Sequence, residues 1–284
     1  ENPLLAQMYV NLATLNIWYR EWEEALQNLE KARSILDKAP NFESKKNLEA
    51  NLNYNFAAYF NERGMPQEGL KYLELAENQV KEDKIRDVFA YNKIHLLKGG
   101  VLSSLGRYDD QEKLLEELLE LNKKIYNQNE NEFTFYTIYQ NYAQLHLNHK
   151  KDYDKALEYA WKSYNIAVNI VGKDDEYCGD SFGLICSIYS WRQDWLKAAE
   201  FAQKALEILK KYVHKRFQVI SLTFDLAYMM ESSNKREALK YLNIGKQYLI
   251  DDLANISDEN GKEIISKNIE EIDKRIKKLE DDLI

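Results

Sequence analysis

His146 and His149 stand three residues apart in the string HLNH, and on a helix that spacing turns both imidazoles the same way. Such a pair could begin a zinc site. No cysteine or carboxylate constellation completes it, and two ligands do not hold zinc usefully, so a solvated helix end is expected and no metal is assigned. His95 and His214 stand alone and read as packing or surface residues. The chain has two cysteines, Cys178 and Cys186, eight residues apart. On one helix about 12 Å would separate their Cα atoms, too far for a disulfide. Both are expected as reduced thiols, with Cys186 buried as a small apolar residue, and reduced thiols imply a cytoplasmic setting.

Other catalytic signatures are missing. The sequence holds no Gly-rich phosphate loop, no Gly-x-Ser-x-Gly and no His-Glu-x-x-His. Its carboxylates recur at helical intervals beside lysines, as in EELLELNKK, which is the pattern of a solvated, ion-paired helix face rather than of an acid/base dyad. Asn255-Ile256-Ser257 matches a glycosylation sequon, which says little in a chain this rich in Asn. Neither catalytic residues nor cofactors are expected, and the chain does not read as an enzyme.

What remains is amide chemistry. Asn11, Asn55 and Asn141 each lie two residues before a small residue, Ala13, Ala57 or Ala143. An amide offers two donors and an acceptor, so a row of them can pair with the backbone of an extended peptide whatever its side chains. The alternative is that each amide pairs with a neighbouring helix. Tyr54, Gln140, Gln144, Phe224 and Tyr228 surround the row in sequence register, and aromatic groups on a rigid wall give large contact area at little entropic cost.

The elements that would position these residues come from a repeat. YDKAL at 153–157 returns as WLKAA at 195–199, and the small residue of that phrase aligns with Ala25, Gly69, Gln111, Ala156, Ala198 and Ala238 at spacings of 44, 42, 45, 42 and 40. Eleven to thirteen residues earlier come Ala13, Ala57, Gly99, Ala143, Cys186 and Ala227; seven later come Ala32, Ala76 and Ala205. Small residues facing one another let two helices pack closely, with Leu12, Phe56, Ile185, Leu29, Leu73 and Leu242 filling the space around the contact. Gly64 and Gly106 fall in the intervening turns, suited to a left-handed residue. Six helix pairs are therefore expected between residue 4 and about residue 250. The third is the least regular, with Lys98 and Gln111 where apolar and small residues are expected. The fourth has one extra residue in its inter-helix turn and the sixth one fewer.

Composition agrees with long helices: 45% of the 284 residues are hydrophobic, and only 3 Pro and 10 Gly interrupt them. A net charge of −8 lacks the basic face that phosphates attract, so neither nucleic acid nor an anionic membrane is an expected partner. No stretch approaches the roughly 20 apolar residues that span a bilayer. The start, Glu1-Asn2-Pro3, has no initiator Met and no signal-like pattern, as in a chain cut from something longer or processed.

After Asp252 the rule changes. Ile265, Ile269, Ile272, Ile276, Leu279 and Leu283 form an apolar stripe on one helix, with Ser257 as its expected cap and charges on its other faces. The domains are thus residues 1–256, the repeats, and 257–284. The latter is a capping helix over the last apolar face or, alternatively, a coiled coil that would make a homodimer.

Small residue, aromatic at the turn, Ala, and a second Ala seven on resembles the tetratricopeptide repeat, whose usual unit is about 34 residues. The longer period and the link AVNIVGKDDEY resemble the kinesin-light-chain variety, and peptide-pheromone receptors of Gram-positive bacteria also use lengthened units. The resemblance implies an all-α, right-handed superhelical solenoid of about six repeats whose first helices line a groove for a peptide or protein. Relatives that hold acidic C-terminal tails use a repeated basic clamp. Val10, Thr14, Tyr54, Ala58, Leu96 and Gly100 stand at those places here, so a strongly acidic tail is not the expected ligand. Two functions follow: a peptide-binding scaffold or adaptor, or a ligand-sensing segment of a larger regulator, kinase or protease.

Overall fold

The computed structural model describes residues 3–42, 44–80, 88–256 and 259–283. Their regular structure is helical, with no strand among the described residues. Three pairs come first: α1 (Pro3–Trp18) with α2 (Trp22–Lys38), α3 (Lys45–Glu62) with α4 (Pro66–Val80), and α5 (Val88–Ser104) with α6 (Tyr108–Ile125). Then come α7 (Phe133–Leu145) and α8 (Tyr153–Val171), followed by two more pairs, α9 (Glu176–Trp191) with α10 (Trp195–Leu209) and α11 (Arg216–Met230) with α12 (Lys235–Asn255). A last helix, α13 (Glu259–Asp281), closes the chain. These helices gather into two compact units, Glu1–Leu145 and His146–Ile284.

The small residues of the repeat occupy the inside of the pairs. Ala25, Ala156, Ala198 and Ala238 on second helices and Ala13, Ala57, Ala143 and Ala227 on first helices are fully buried. At Gly69 the approach is close, since a Cβ there would lie 3.1 Å from the carbonyl oxygen of Ala57. The irregular third pair has its own solution. Gln111 is buried where the others carry Ala or Gly, and the residue facing it across the pair is Gly99, whose missing side chain leaves room for the Gln stem. Lys98, the other irregularity, is half-buried with its Nζ 2.6 Å from Glu77 Oε2 on α4. One interior assignment is corrected: Leu12 lies on the exposed side of α1, because no helix of the described residues covers that side.

Five of the inter-helix turns obey one geometry. Arg20, Gly64, Gly106, Lys151 and Gln193 have φ between 56° and 73°, and each stands five residues before the marker of its repeat. The left-handed residue lets the next amide reach back over the helix end: Met65 N–H donates to the Phe60 carbonyl and Arg107 N–H to that of Leu102, both at 2.8 Å. Glycine adopts this φ freely at two of the five turns, whereas Arg20, Lys151 and Gln193 each carry about 1 kcal/mol of strain.

The extra residue of the fourth pair does not lengthen its turn. It is taken up as a π-helical turn, His146–Lys150, and Asp152 N–H donates to the His146 carbonyl at 3.1 Å, one residue further back than in the other turns. Widening a helix by one residue rolls the side chains at that point to a new side. His146 and Leu147 are therefore buried, with the imidazole of His146 stacked 5.5 Å from the ring of Tyr159. A solvated helix end is thus corrected for His146; His149 stays partly exposed.

The last helix, α13, packs against α12. Ile276 and Leu279 of its stripe are buried, and polar arms flank them: Lys246 to Asp273 at 2.5 Å, Lys235 to Asp282 at 3.0 Å, and Arg275 to Glu231. Ser257, its expected N-cap, lies outside the described residues. No described helix is long and apolar enough to cross a membrane.

Candidate peptide-binding surface

In the first unit the first helices α1, α3, α5 and α7 lie side by side, each touching the next. α1, α3 and α5 share one surface there. A cleft of about 370 Å³ opens on it, lined by Asn11, Thr14, Leu15 and Trp18 of α1, Asn51 of α3 and Lys93 of α5. Three successive helices thus contribute amides, a hydroxyl, an indole and one ammonium.

Asn11 is exposed and accepts from Gln7 Nε2 at 2.8 Å. Asn55 sits beneath the cleft and is only 2% exposed. Its Oδ1 accepts from Thr14 Oγ1 at 2.7 Å and its Nδ2 donates to the Asn51 carbonyl at 2.8 Å, so its amide ties α1 to α3 and supports two residues of the lining. Lys93 Nζ lies 3.3 Å from Asn51 Oδ1 and 4.1 Å from the ring centroid of Tyr54. No carboxylate of the described residues pairs with it. Burial lowers the pKa of Lys93 and raises that of Tyr54, as loss of water penalises the charged form of each. A lone ammonium over a ring, beside an amide carbonyl, can receive a single acceptor.

The amides of α7 lie outside this cleft. Asn141 Nδ2 donates to the Thr137 carbonyl of its own helix at 2.9 Å, Gln140 is half-buried and Gln144 is exposed. None of the three lines the cleft.

The second unit holds the two remaining residues. Phe224 packs over Gly245, where a Cβ would lie 2.6 Å from the ring, and walls a pocket of about 590 Å³ with Ile220, Leu242, Leu249, Ile272 and Arg275. Tyr228 is 63% exposed, stands edge-on to Trp195 at 6.0 Å, and borders a second pocket of about 450 Å³ whose rim carries Glu231, Lys235, Lys278 and Asp282.

Sequence reasoning missed Asn51 and Lys93. A signal existed: both stand six residues before the small residue of their first helix, one turn from the amide row, so they share a side with it. The cysteines are free and buried, and burial holds the thiol of Cys178 up at about 11 and that of Cys186 at about 12, leaving both protonated and unreactive near neutral pH. Among the described residues no three His, Cys, Asp or Glu side chains gather as metal ligands would.

No protein-family profile matches the sequence. No curated protein matches it either. Solved structures do. BtubC (BKLC) from P. vanneervenii superposes with a TM-score of 0.63 at 16% identity, over 81% of this chain and 90% of that one. A STAND (signal transduction ATPase with numerous domains) protein with a tetratricopeptide repeat sensor from Pyrococcus horikoshii gives 0.61 at 20% identity, over 86% of this chain and 35% of that one. NprR in complex with its cognate peptide NprX gives 0.61 at 15% identity, over 88% and 69%. At such identities the likeness is one of fold. With helices in antiparallel pairs and five inter-helix turns passing through a left-handed residue at the same place, this chain shares the all-α helical-repeat fold of these structures.

Proposed function

We propose that this chain is a binding scaffold that takes an extended peptide or protein segment on the first-helix surface of its first unit. The observation that carries the reading is the cleft whose lining comes from α1, α3 and α5 together, with Asn11 and Asn51 offered to peptide backbone groups and Trp18 placed to cover an apolar side chain. Lys93 is the single charge in that lining, so the ligand presents one acceptor there and not a run of carboxylates. No catalytic step and no cofactor belong to this reading. It is supported further by the fold shared with NprR, which was solved with a peptide bound.

A second reading is a sensory segment that passes binding on to an effector. The likeness to a STAND protein with a tetratricopeptide repeat sensor favours it.

Peptides selected from a random display library on immobilised protein and measured by fluorescence anisotropy test the first reading. Asn51→Ala and Trp18→Ala are each expected to weaken the best peptide about tenfold, and Lys93→Ala by more. Unchanged affinity in all three variants would remove the cleft as the site. Hydrogen exchange that slows only at the cleft fits the scaffold; slowing that spreads into the second unit fits the sensor.

A further inference from the structure

Every first helix after α1 uses three positions to meet the second helix that precedes it. Counted from its small inner residue they lie five before, one before and two after; in α3 they are Leu52, Phe56 and Tyr59. All three belong to a core cluster with Ala25, Leu29, Ala32 and Leu36 of α2. The contact recurs as α4 on α5, α6 on α7, α8 on α9 and α10 on α11. The three positions are buried in all five later helices, except that Lys98 is half-buried.

In α1 the same positions hold Met8, Leu12 and Leu15, which are 60%, 46% and 49% exposed. Leu4, in the register of Leu48 of α3, is exposed as well. The sixteen residues of α1 include no charged side chain, and its opposite face, with Val10 and Ala13, is already buried. A helix apolar on both faces has both faces covered when its surroundings are complete. The contrast with α13 is direct, since that helix closes the other end of the repeats with charged outer faces.

We propose that the outer stripe of α1 is a docking face for an amphipathic helix of the α2 kind, supplied by a partner and carrying small residues seven apart with leucines between them, as in Ala25, Leu29, Ala32 and Leu36. The face continues an interface that the chain builds five times, and its large residues match that small-and-large pattern. A second copy fits less well. Pairing α1 with α1 would set Met8 and Leu12 against their own kind, with no small residue to let the axes approach. The stripe lies beside the cleft on α1 and meets it only at Leu15, so this inference does not rest on peptide binding.

A graft tests it. Joining a second copy of residues 22–44 directly ahead of Glu1 places Leu4, Met8 and Leu12 in the register of Leu48, Leu52 and Phe56. The extended protein is expected to melt roughly 5 °C higher. Amide exchange in α1 should slow at least about tenfold. Leu→Asp substitutions at the graft's copies of Leu29 and Leu36 should cancel both effects, as should Met8→Glu with Leu12→Glu in the host, while these two leave the unextended chain's melting unchanged. An extended protein that melts and exchanges like the original would overturn the proposal. So would an unextended chain that sediments as a dimer and is split by Leu12→Glu, since the occupant would then be a second copy.

Discussion

Buried polar atoms are used differently in the two units. In the first they reach across helices. Asn92 of α5 and Asn122 of α6, both buried, exchange two hydrogen bonds of 2.7 and 2.9 Å. Asn53 of α3 accepts from Arg33 of α2 at 2.8 Å and donates to Gln79 of α4 at 3.1 Å, and Glu77 of α4 meets both His95 and Lys98 of α5. In the second unit the buried hydroxyls of Ser163, Ser181 and Thr223 bond carbonyls of their own helices, those of Ala160, Tyr177 and Val219. There the ties between helices include rings: Trp161 with Phe201, Tyr164 with Phe182, and Tyr189 parallel to Phe201 at 5.6 Å. Rings also pack in the first unit, as Phe56 and Tyr72 do at 4.8 Å. The lesson lies in cost. An amide bonded across two helices fixes their register but leaves a stranded partner when cut, whereas a hydroxyl bonded to its own turn strands little.

The most damaging way to break this contrast is Asn92→Ala, which leaves the Asn122 amide buried without its mate. A loss of about 3 kcal/mol is expected in urea unfolding, with exchange rising in α5 and α6 and not in the second unit. Replacing both residues by Leu removes the stranded group and should return stability to within about 1 kcal/mol of the parent. If the single and double variants lose equally, packing rather than the amide pair holds these helices.

Acid sharpens the comparison next. The hydrogen bond from His95, aided by Lys98 and opposed by burial, holds the Glu77 carboxyl down at about 2, against 4.5 for a free carboxyl. A depressed pKa stabilises the fold above the unfolded value, and that contribution is lost as pH falls from about 4.5 toward about 2. The first unit should therefore loosen in that window, and Glu77→Gln should flatten the pH dependence there while lowering stability at neutral pH. Exchange measured by segment at pH 5 and pH 3 checks it; equal loosening of both units in parent and variant would remove Glu77 as the cause.

Gln111 allows a gain. It is buried opposite Gly99, and its Oε1 meets no donor among the described residues. Gln111→Met keeps the length of the side chain and removes the stranded oxygen, so about 1 kcal/mol of added stability is expected in urea unfolding. A loss would mean that the amide has a role that Met cannot fill.

The same residues mark what could be read from sequence. The repeat was legible because small residues must recur wherever two helices approach, and the twelve helices α1 to α12 stand where the markers put them. Compensation across a pair was harder: Gln111 reads as a defect until Gly99 is seen facing it. The π-turn at His146–Lys150 was half legible, since counting finds the extra residue but not whether a turn or a helix absorbs it. The amide row located Asn11 in the cleft, yet the same register buries Asn55, because α3 has α1 beside it and its amide can bond Thr14. Leu12 misled for the converse reason: its register is interior wherever a second helix precedes, and none of the described helices does so here.

The smallest expected effect tests the other half of the comparison. Thr223 is fully buried, as Asn122 is, and by burial alone the two should cost alike to replace. Its Oγ1 donates to the Val219 carbonyl at 2.7 Å, and that oxygen already faces the helical amide of residue 223 itself. Thr223→Val keeps the branched shape and strands no partner on another helix. Stability should therefore stay within about 0.5 kcal/mol of the parent, several-fold less than for Asn92→Ala. A loss near that of the asparagine variant would show that burial of the polar atom, and not where its bond goes, sets the cost.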